Sequence, residues 1–397
     1  MADSNKVVIG FGEESTWGTA ATALNQLPIV SGSMTESPST VRSQQLRTDA
    51  QYAGTKRTGI EASAQFEVEL QGDNLDTLLR AALRNGTTGG SDWSTVSFED
   101  NFDSSIGWTG TDTLTTTSAI IDIAIGQWIY VTGFTPADAN GWFQVAGTNT
   151  NNKTISVVAG TGPSNTATPS SGKLGVKGSQ IRNGSDLTSF TIQAEYSDLT
   201  NEYRLMTGAR VTSFGINVSA QSIMTGSIGF GGKRVTRETT GISTTAAINN
   251  DVIGEVDGFD GFWIDGAEVT NYELTSISLN IATAGRAVRG LGELENKAMQ
   301  LGPLEVTGSM EMYLDATTYS TWLPKLAGFT SFSLGFAIND GAGHRYFFFL
   351  PECKLTSEAG SVPGIDQDVM MSMDFSAEPS PMVQGGSFKT IEIVRAV

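Results

Sequence analysis

Between Glu61 and Leu70 apolar and polar side chains alternate, with Ala62, Ala64, Phe66, Val68 and Leu70 on one face and Glu61, Ser63, Gln65, Glu67 and Glu69 on the other. A period of two predicts a strand with one buried side. After Asp73 the apolar spacing changes to Leu75, Leu78, Leu79, Ala82 and Leu83, which predicts a short helix with one buried face. The passage recurs 244 residues later. Leu304, Val306, Met310, Met312 and Leu314 alternate with Glu305, Thr307, Ser309 and Glu311, and Tyr319, Trp322, Leu323 and Leu326 then take helical spacing. Pro324 falls inside that second pattern, so the helix is expected to be short or kinked there.

Two copies of one strand–helix unit predict a duplicated, mainly β domain. Following the repeat onward locates an insertion. Ser189-Phe190-Thr191-Ile192 matches Ser331-Phe332-Ser333-Leu334 at an offset of 142, so the first copy carries 102 residues that the second lacks. Further matches pair Ala209-Arg210-Val211 with Cys353-Lys354-Leu355, and Ile228-Gly229-Phe230 with Met373-Asp374-Phe375, at offsets of 144 and 145. The predicted organisation is a discontinuous first module at 1–85 plus 187–240, an inserted β domain at 86–186, a linker at 241–251 and a second module at 252–397. In the last module Ile391, Ile393 and Val394 form a short run that adds a strand either in cis or to a neighbour.

Within the insertion, strands are expected at 125–134, 140–145 and 154–158, with Trp128 and Trp142 in the core of a small barrel rather than on a sugar-binding platform. Gly/Ser/Thr-rich flanks predict a body that projects from its parent. Each module also carries a long polar loop, 37–58 in the first and 282–302 in the second. The first holds Arg42, Arg47, Lys56 and Arg57, the second Arg286, Arg289 and Lys297; each is either a solvated hairpin loop or an arm that reaches an acidic face of a neighbouring subunit, and recurrence in both copies favours the arm.

Composition narrows the function. Of 397 residues, 46 are Gly and only 17% are charged, which favours strands and tight turns. No apolar run approaches the roughly 20 residues of a membrane-spanning helix, and the first residues lack the apolar stretch of a secretory signal. One cysteine leaves no intrachain disulfide framework. With 24 basic against 42 acidic residues and a net charge of −18, a direct grip on nucleic-acid phosphates is not expected. Catalysis finds few components. A nucleophile–histidine relay would have to use His344, and Cys353 aligns with Ala209, a small buried position. Zinc needs more His and Cys ligands than the chain holds. Gly229-Phe230-Gly231-Gly232-Lys233-Arg234 departs from a phosphate loop at its first glycine and at Arg234, and reads as a strand end. Asp257-Gly258-Phe259-Asp260-Gly261 lacks the ligand spacing of a calcium loop and reads as a turn. The chain is expected to be no enzyme and to need no cofactor or metal.

Glu14-Ser15-Thr16-Trp17-Gly18-Thr19-Ala20, followed by Leu27-Pro28, resembles the N-terminal signature of tail tube (major tail) proteins of long, non-contractile-tailed bacteriophages. The order of long loop, alternating strand, short helix and further strands is similar to theirs over most of the chain outside 86–187, and the insertion resembles β modules that decorate such tubes. The resemblance implies two tandem tail-tube β-sandwich or barrel modules, each with one short helix, and a small all-β inserted domain. It implies a structural virion protein of the tail, assembled in the host cytoplasm with no membrane, that polymerises with itself into stacked rings. Two modules per chain imply trimeric rings with pseudo-sixfold symmetry, where single-module relatives form hexamers. Other tail proteins such as tip, tape measure and terminator would be partners, and DNA would pass through the lumen without specific binding. On this reading Glu61, Glu67, Glu69, Glu305 and Glu311 face the lumen or the next ring, and an acidic lumen repels phosphate; the alternative is that they form a solvated outer face. The loop cations serve contacts between rings. The alternatives are a secreted β-rich adhesin or carbohydrate-binding protein, against which the missing signal and the duplication count, and a capsid or capsid-decoration protein.

Overall fold

The computed structural model describes residues 3–85, 100–103, 106–116, 126, 128–135, 137–148, 154–158, 160, 162–164, 169–175, 179–248, 251–269, 274–341, 345–360, 365, 367–381 and 388–396. The chain is mainly β, with curled sheets forming half-barrels. In the first half Ser31–Arg42 pairs with Thr55–Glu69, which pairs with Thr225–Gly232, then Tyr203–Ser219, Phe190–Tyr196 and Val7–Glu13. In the second half Leu274–Val288 pairs with Ala298–Tyr313, then Met370–Ala377, Arg345–Gly360, Phe332–Asn339 and Phe259–Ile264.

The two orders are the same, and so is the register. Phe66 opposes Ile228 as Met310 opposes Met373, Ser213 opposes Gly229 as Ser357 opposes Asp374, and Glu36 opposes Ala62 as Ile281 opposes Val306. Register shifts also recur, at Val211/Ser213 and Leu355/Ser357 and again at Ser39/Thr40 and Thr283/Gly285. Each such shift puts an extra residue into one strand and bends it.

The halves join through backbone pairing of residues 213–219 with 276–282. One sheet therefore runs through eight strands, from Ser31–Arg42 at one edge to the distal part of Arg345–Gly360 at the other. Among the described residues, Ser31–Arg42 pairs with one strand only, and residues 357–360 pair only with 371–374.

The alternation read from sequence lies where expected, with Ala62, Ala64, Phe66, Val68 and Leu70 buried and Val306, Met310 and Met312 buried. The helices differ from expectation. Asp76–Ala82 buries Leu78, Leu79, Ala81 and Ala82 but also Asp76 and Arg80, so it has no solvent face. Arg80 pairs with Glu13, and Asp76 with Arg395. The second helix, Ala316–Ala327, is the longer one and continues past Pro324. Proline removes one backbone bond, while Trp322, fully buried and 5.3 Å from the Phe332 ring, anchors the turn that contains it.

The polar loops also shrink. Pairing continues to Arg42 and Thr55 in the first hairpin and to Val288 and Ala298 in the second, leaving loops of 43–54 and 289–297. The arms of the first hairpin are mostly polar on both faces, and in those of the second Thr283 and Met299 are buried without regular alternation, so no hydrophobic period marks either pair as strands.

The last strand, Glu392–Ala396, adds in cis between residues 345–349 and Ser179–Arg182. Inserted residues form a seven-stranded antiparallel sheet whose core is Ile106, Trp108, Leu114, Ile129, Val131, Phe134, Phe143, Val145, Ile155 and Val157. Trp128 and Trp142 are not in that core, contrary to the barrel reading. They point from the opposite side of their strands into a second cluster with Trp263 and Phe347. Trp128 stacks on Phe347 at 4.5 Å and meets Trp263 edge-on at 5.1 Å. The insertion does not project freely; these aromatic rings seat it on the second half.

Candidate assembly surfaces

Directly opposed residues of an antiparallel sheet share a face, so the register traces rows across six or more of the eight strands. One row reads Ser31, Glu67, Ser227, Gly215, Asn280, Thr307, Ser376. The next reads Glu69, Thr225, Asn217, Ser278, Ser309, Asp374, Ser357, and a third Ser33, Gln65, Gly229, Ser213, Ala282, Glu305. Small hydroxyl, amide and glycine positions predominate with scattered carboxylates, and the one cation is Lys354, which ends the first row opposite Ser376 and is held by Glu378 at 2.6 Å. A cross-strand hydroxyl pair holds the second row, Ser278 with Ser309 at 2.8 Å. The opposite side of the same strands is the hydrophobic core.

All five glutamates singled out from sequence, Glu61, Glu67, Glu69, Glu305 and Glu311, lie on this one face, brought there by the join between the halves. The sequence placed them on two separate strands. What it did not show was the pairing of 213–219 with 276–282 that makes the two strand faces one surface.

The loop cations are mostly engaged within the chain. Arg47 forks onto Asp49 at 2.9 and 2.6 Å, Lys297 pairs with Glu293 at 3.0 Å, and Arg42 lies 5.3 Å over the Tyr52 ring. Arg57 stands 3.7 Å from Glu36. Arg289 ties the two hairpins together, donating to Ile60 O at 2.9 Å, to Asn296 Oδ1 at 2.9 Å and to Glu61 at 3.4 Å. Lys56 and Arg286 are exposed. The loop residues that sequence reasoning missed are leucines. Leu46 and Leu291 are fully exposed and occupy corresponding places in the two loops. A leucine repeated in two otherwise polar loops was the available signal.

The EESTWGT segment works as a clasp. Glu14 accepts hydrogen bonds from Gly18 N at 2.7 Å, Gly208 N at 2.7 Å and Thr191 Oγ1 at 3.0 Å. Trp17 Nε1 donates to Gly208 O at 3.2 Å, and Lys233 lies over the Trp17 ring at 5.9 Å. Gly208 has φ +63, and a Cβ there would strike the Trp17 ring. The segment thus fixes the point where strand Tyr203–Ser219 passes from one neighbour to the other. Lys233 and Arg234 follow a continuous strand rather than a phosphate loop, and Arg234 pairs with Glu295 at 2.7 Å.

Cys353 is buried opposite Phe332, as Ala209 is opposite Phe190, and burial pushes its thiol pKa up, away from the reactive thiolate. His344 lies outside the described residues. Among the described residues there is no His/Cys/Asp/Glu cluster arranged for a metal and no helix long and apolar enough to cross a membrane.

The sequence model of the family described as "Phage tail tube protein" matches residues 4–377. No curated protein matches the chain.

Proposed function

The chain belongs to the phage tail tube protein family, a structural, virion-forming family, and from that premise we propose that three copies close into a ring of six modules whose stacking builds the tube. The modules are 1–85 with 187–240 and 252–397, joined by 241–251, and 86–186 is an inserted, decoration-like domain. Two halves with one strand order and one register support counting two modules per chain. Three chains then supply six, and joining the two free edges of the eight-stranded sheet from chain to chain leaves no edge exposed.

The observation that carries the reading is the face of that sheet, which is core on one side and hydroxyl, amide, glycine and carboxylate on the other. Turned inward, it lines a channel in which Glu61, Glu67, Glu69, Glu305 and Glu311 repel phosphate, while the cations on that side, Arg289 beside Glu61 and Lys354 on Glu378, are held by carboxylates. DNA ejected through such a tube slides without capture. Loops 43–54 and 289–297 extend beyond the sheet and reach the next ring, with Leu46 and Leu291 as apolar contacts beside Lys56 and Arg286. Assembly takes place in the host cytoplasm with other tail proteins (tape measure, tip and terminator) as partners. Negative-stain electron microscopy of the purified chain at high concentration tests this. Hollow tubes, or rings with six inner lobes that weigh three chains, are expected, and rings of six chains would overturn the count.

A further inference from the structure

The join inside one chain is a template for the join between chains, and it differs from it at one pair of positions. Internally, Phe214 directly opposes Ile281, and both are buried. Register identifies their counterparts at the free edges. Phe214 opposes Ile228 as Glu358 opposes Met373, and Ile281 opposes Val306 as Glu36 opposes Ala62. Repeating the internal join at the edges places Ser37 opposite Ser357 and Glu36 opposite Glu358, on the core side of the sheet.

We propose that Glu36 of one copy and Glu358 of the next face each other across the subunit joint, bridged by Arg57, and that this charged pair makes the intermolecular joint weaker than the internal one and strengthened by acid. The proposal rests on the ring reading and names its contact residues. Glu36 is already half-buried, accepts from Val235 N at 3.0 Å and has Arg57 at 3.7 Å. The other cation beside it, Arg234, is bonded to Glu295 at 2.7 Å. On the Glu358 side Lys354 is bonded to Glu378 at 2.6 Å, and the opposed residue is the apolar Met373. Two carboxylates therefore meet one uncommitted guanidinium, and the excess negative charge has to be protonated or held apart. Directly opposed like charges destabilise a strand pair. A charged inward position also keeps an unassembled edge from pairing indiscriminately. The mutually templated halves of one chain need no such guard, which fits Phe214 and Ile281 there.

Two measurements separate the proposal from the ring reading. In the double variant S37C/S357C, oxidation of assembled protein should link chains into covalent trimers; absence of any interchain link would overturn the joint itself. With that link established, the critical concentration for assembly is measured by sedimentation from pH 8 to pH 5. It should fall with acid for the native chain. Glu36→Gln and Glu358→Gln should each lower it about fivefold at pH 8, the order of one like-charge cross-strand pair, and flatten the pH profile. Arg57→Gln should raise it. Gln variants, folded by their thermal unfolding, that keep the native threshold and pH profile would overturn the carboxylate pair while leaving the ring in place.

Discussion

Glu14 satisfies three donors from three separate parts of the first half, at Gly18, Thr191 and Gly208. Truncating it strands them, and an unsatisfied buried donor costs more than a made bond returns. Glu14→Ala is expected to destabilise the protomer by about 2–4 kcal/mol in urea unfolding, with Glu14→Gln, which keeps an acceptor, costing less. A second buried site titrates. Burial pushes the Asp76 carboxyl up to about 7, against the opposing pull of Arg395, while the neighbouring Asp73 adds to the rise. Arg395 bonds both carboxylates, Asp73 at 2.9 Å. Between an ordinary carboxylate pKa and about 7 the folded chain binds this proton more tightly than the unfolded chain does. The contribution is therefore fully present below that window and is lost as pH rises through it. Thermal unfolding of the native chain should show that downward slope in its pH profile, and Asp76→Asn should flatten it; an unchanged slope would mean that another group sets it.

At the scale of elements, what was legible is what one buried face makes visible. The strand Thr55–Glu69 and its counterpart Ala298–Tyr313 declare themselves because every second residue enters the core. The outer hairpin arms were read as loops because they bury only isolated residues, Thr283 and Met299, with no repeating period. Trp128 and Trp142 show the other limit. Alternation with Ile129 and Phe143 places them on the far side of their strands, but nothing local tells whether water or another element covers that side. Here Trp263 and Phe347 cover it. Trp128→Ala is accordingly expected to cost about 2–3 kcal/mol, less than the ~3–5 of a fully buried tryptophan, and to open the insertion to limited proteolysis while the first half stays resistant. The loops make the complementary case. With Arg47 and Lys297 tied to partners in their own loops, removing residues 43–54 withdraws Leu46 and Tyr52 and leaves the core untouched. That deletion should yield folded protomers that fail to form tubes, read by circular dichroism and electron microscopy, and normal tubes would exclude the loop from ring stacking.

In the whole molecule the proposed ring sets two demands that pull apart. A tube wall has to be a continuous hydrogen-bonded sheet to resist opening, and its inner surface has to ignore the most highly charged polymer that the virion handles. On the proposed ring reading, the eight-stranded sheet would meet the first through its backbone and leave the side chains of one face free for the second. Serine, threonine and glycine keep that face low and neutral, and the glutamates add a charge of the same sign as DNA. Glu67 and Glu311 occupy corresponding positions, so in a three-chain ring a substitution at both appears six times, and again in every ring along the tube. Duplex DNA presents one negative charge about every 1.7 Å of its axis, so lysines repeated at that density would find phosphates at every stage of passage. A phage carrying Glu67→Lys and Glu311→Lys should assemble normal tails but eject its DNA at least ~10-fold more slowly at low salt, with the delay relieved as salt rises and counterion release loses its force. Glu67→Gln with Glu311→Gln removes the repulsion without adding an anchor and should slow ejection far less. If the lysine variant ejected at the native rate, with intact tails seen in the same particles, the carboxylate face would have to lie away from the DNA path.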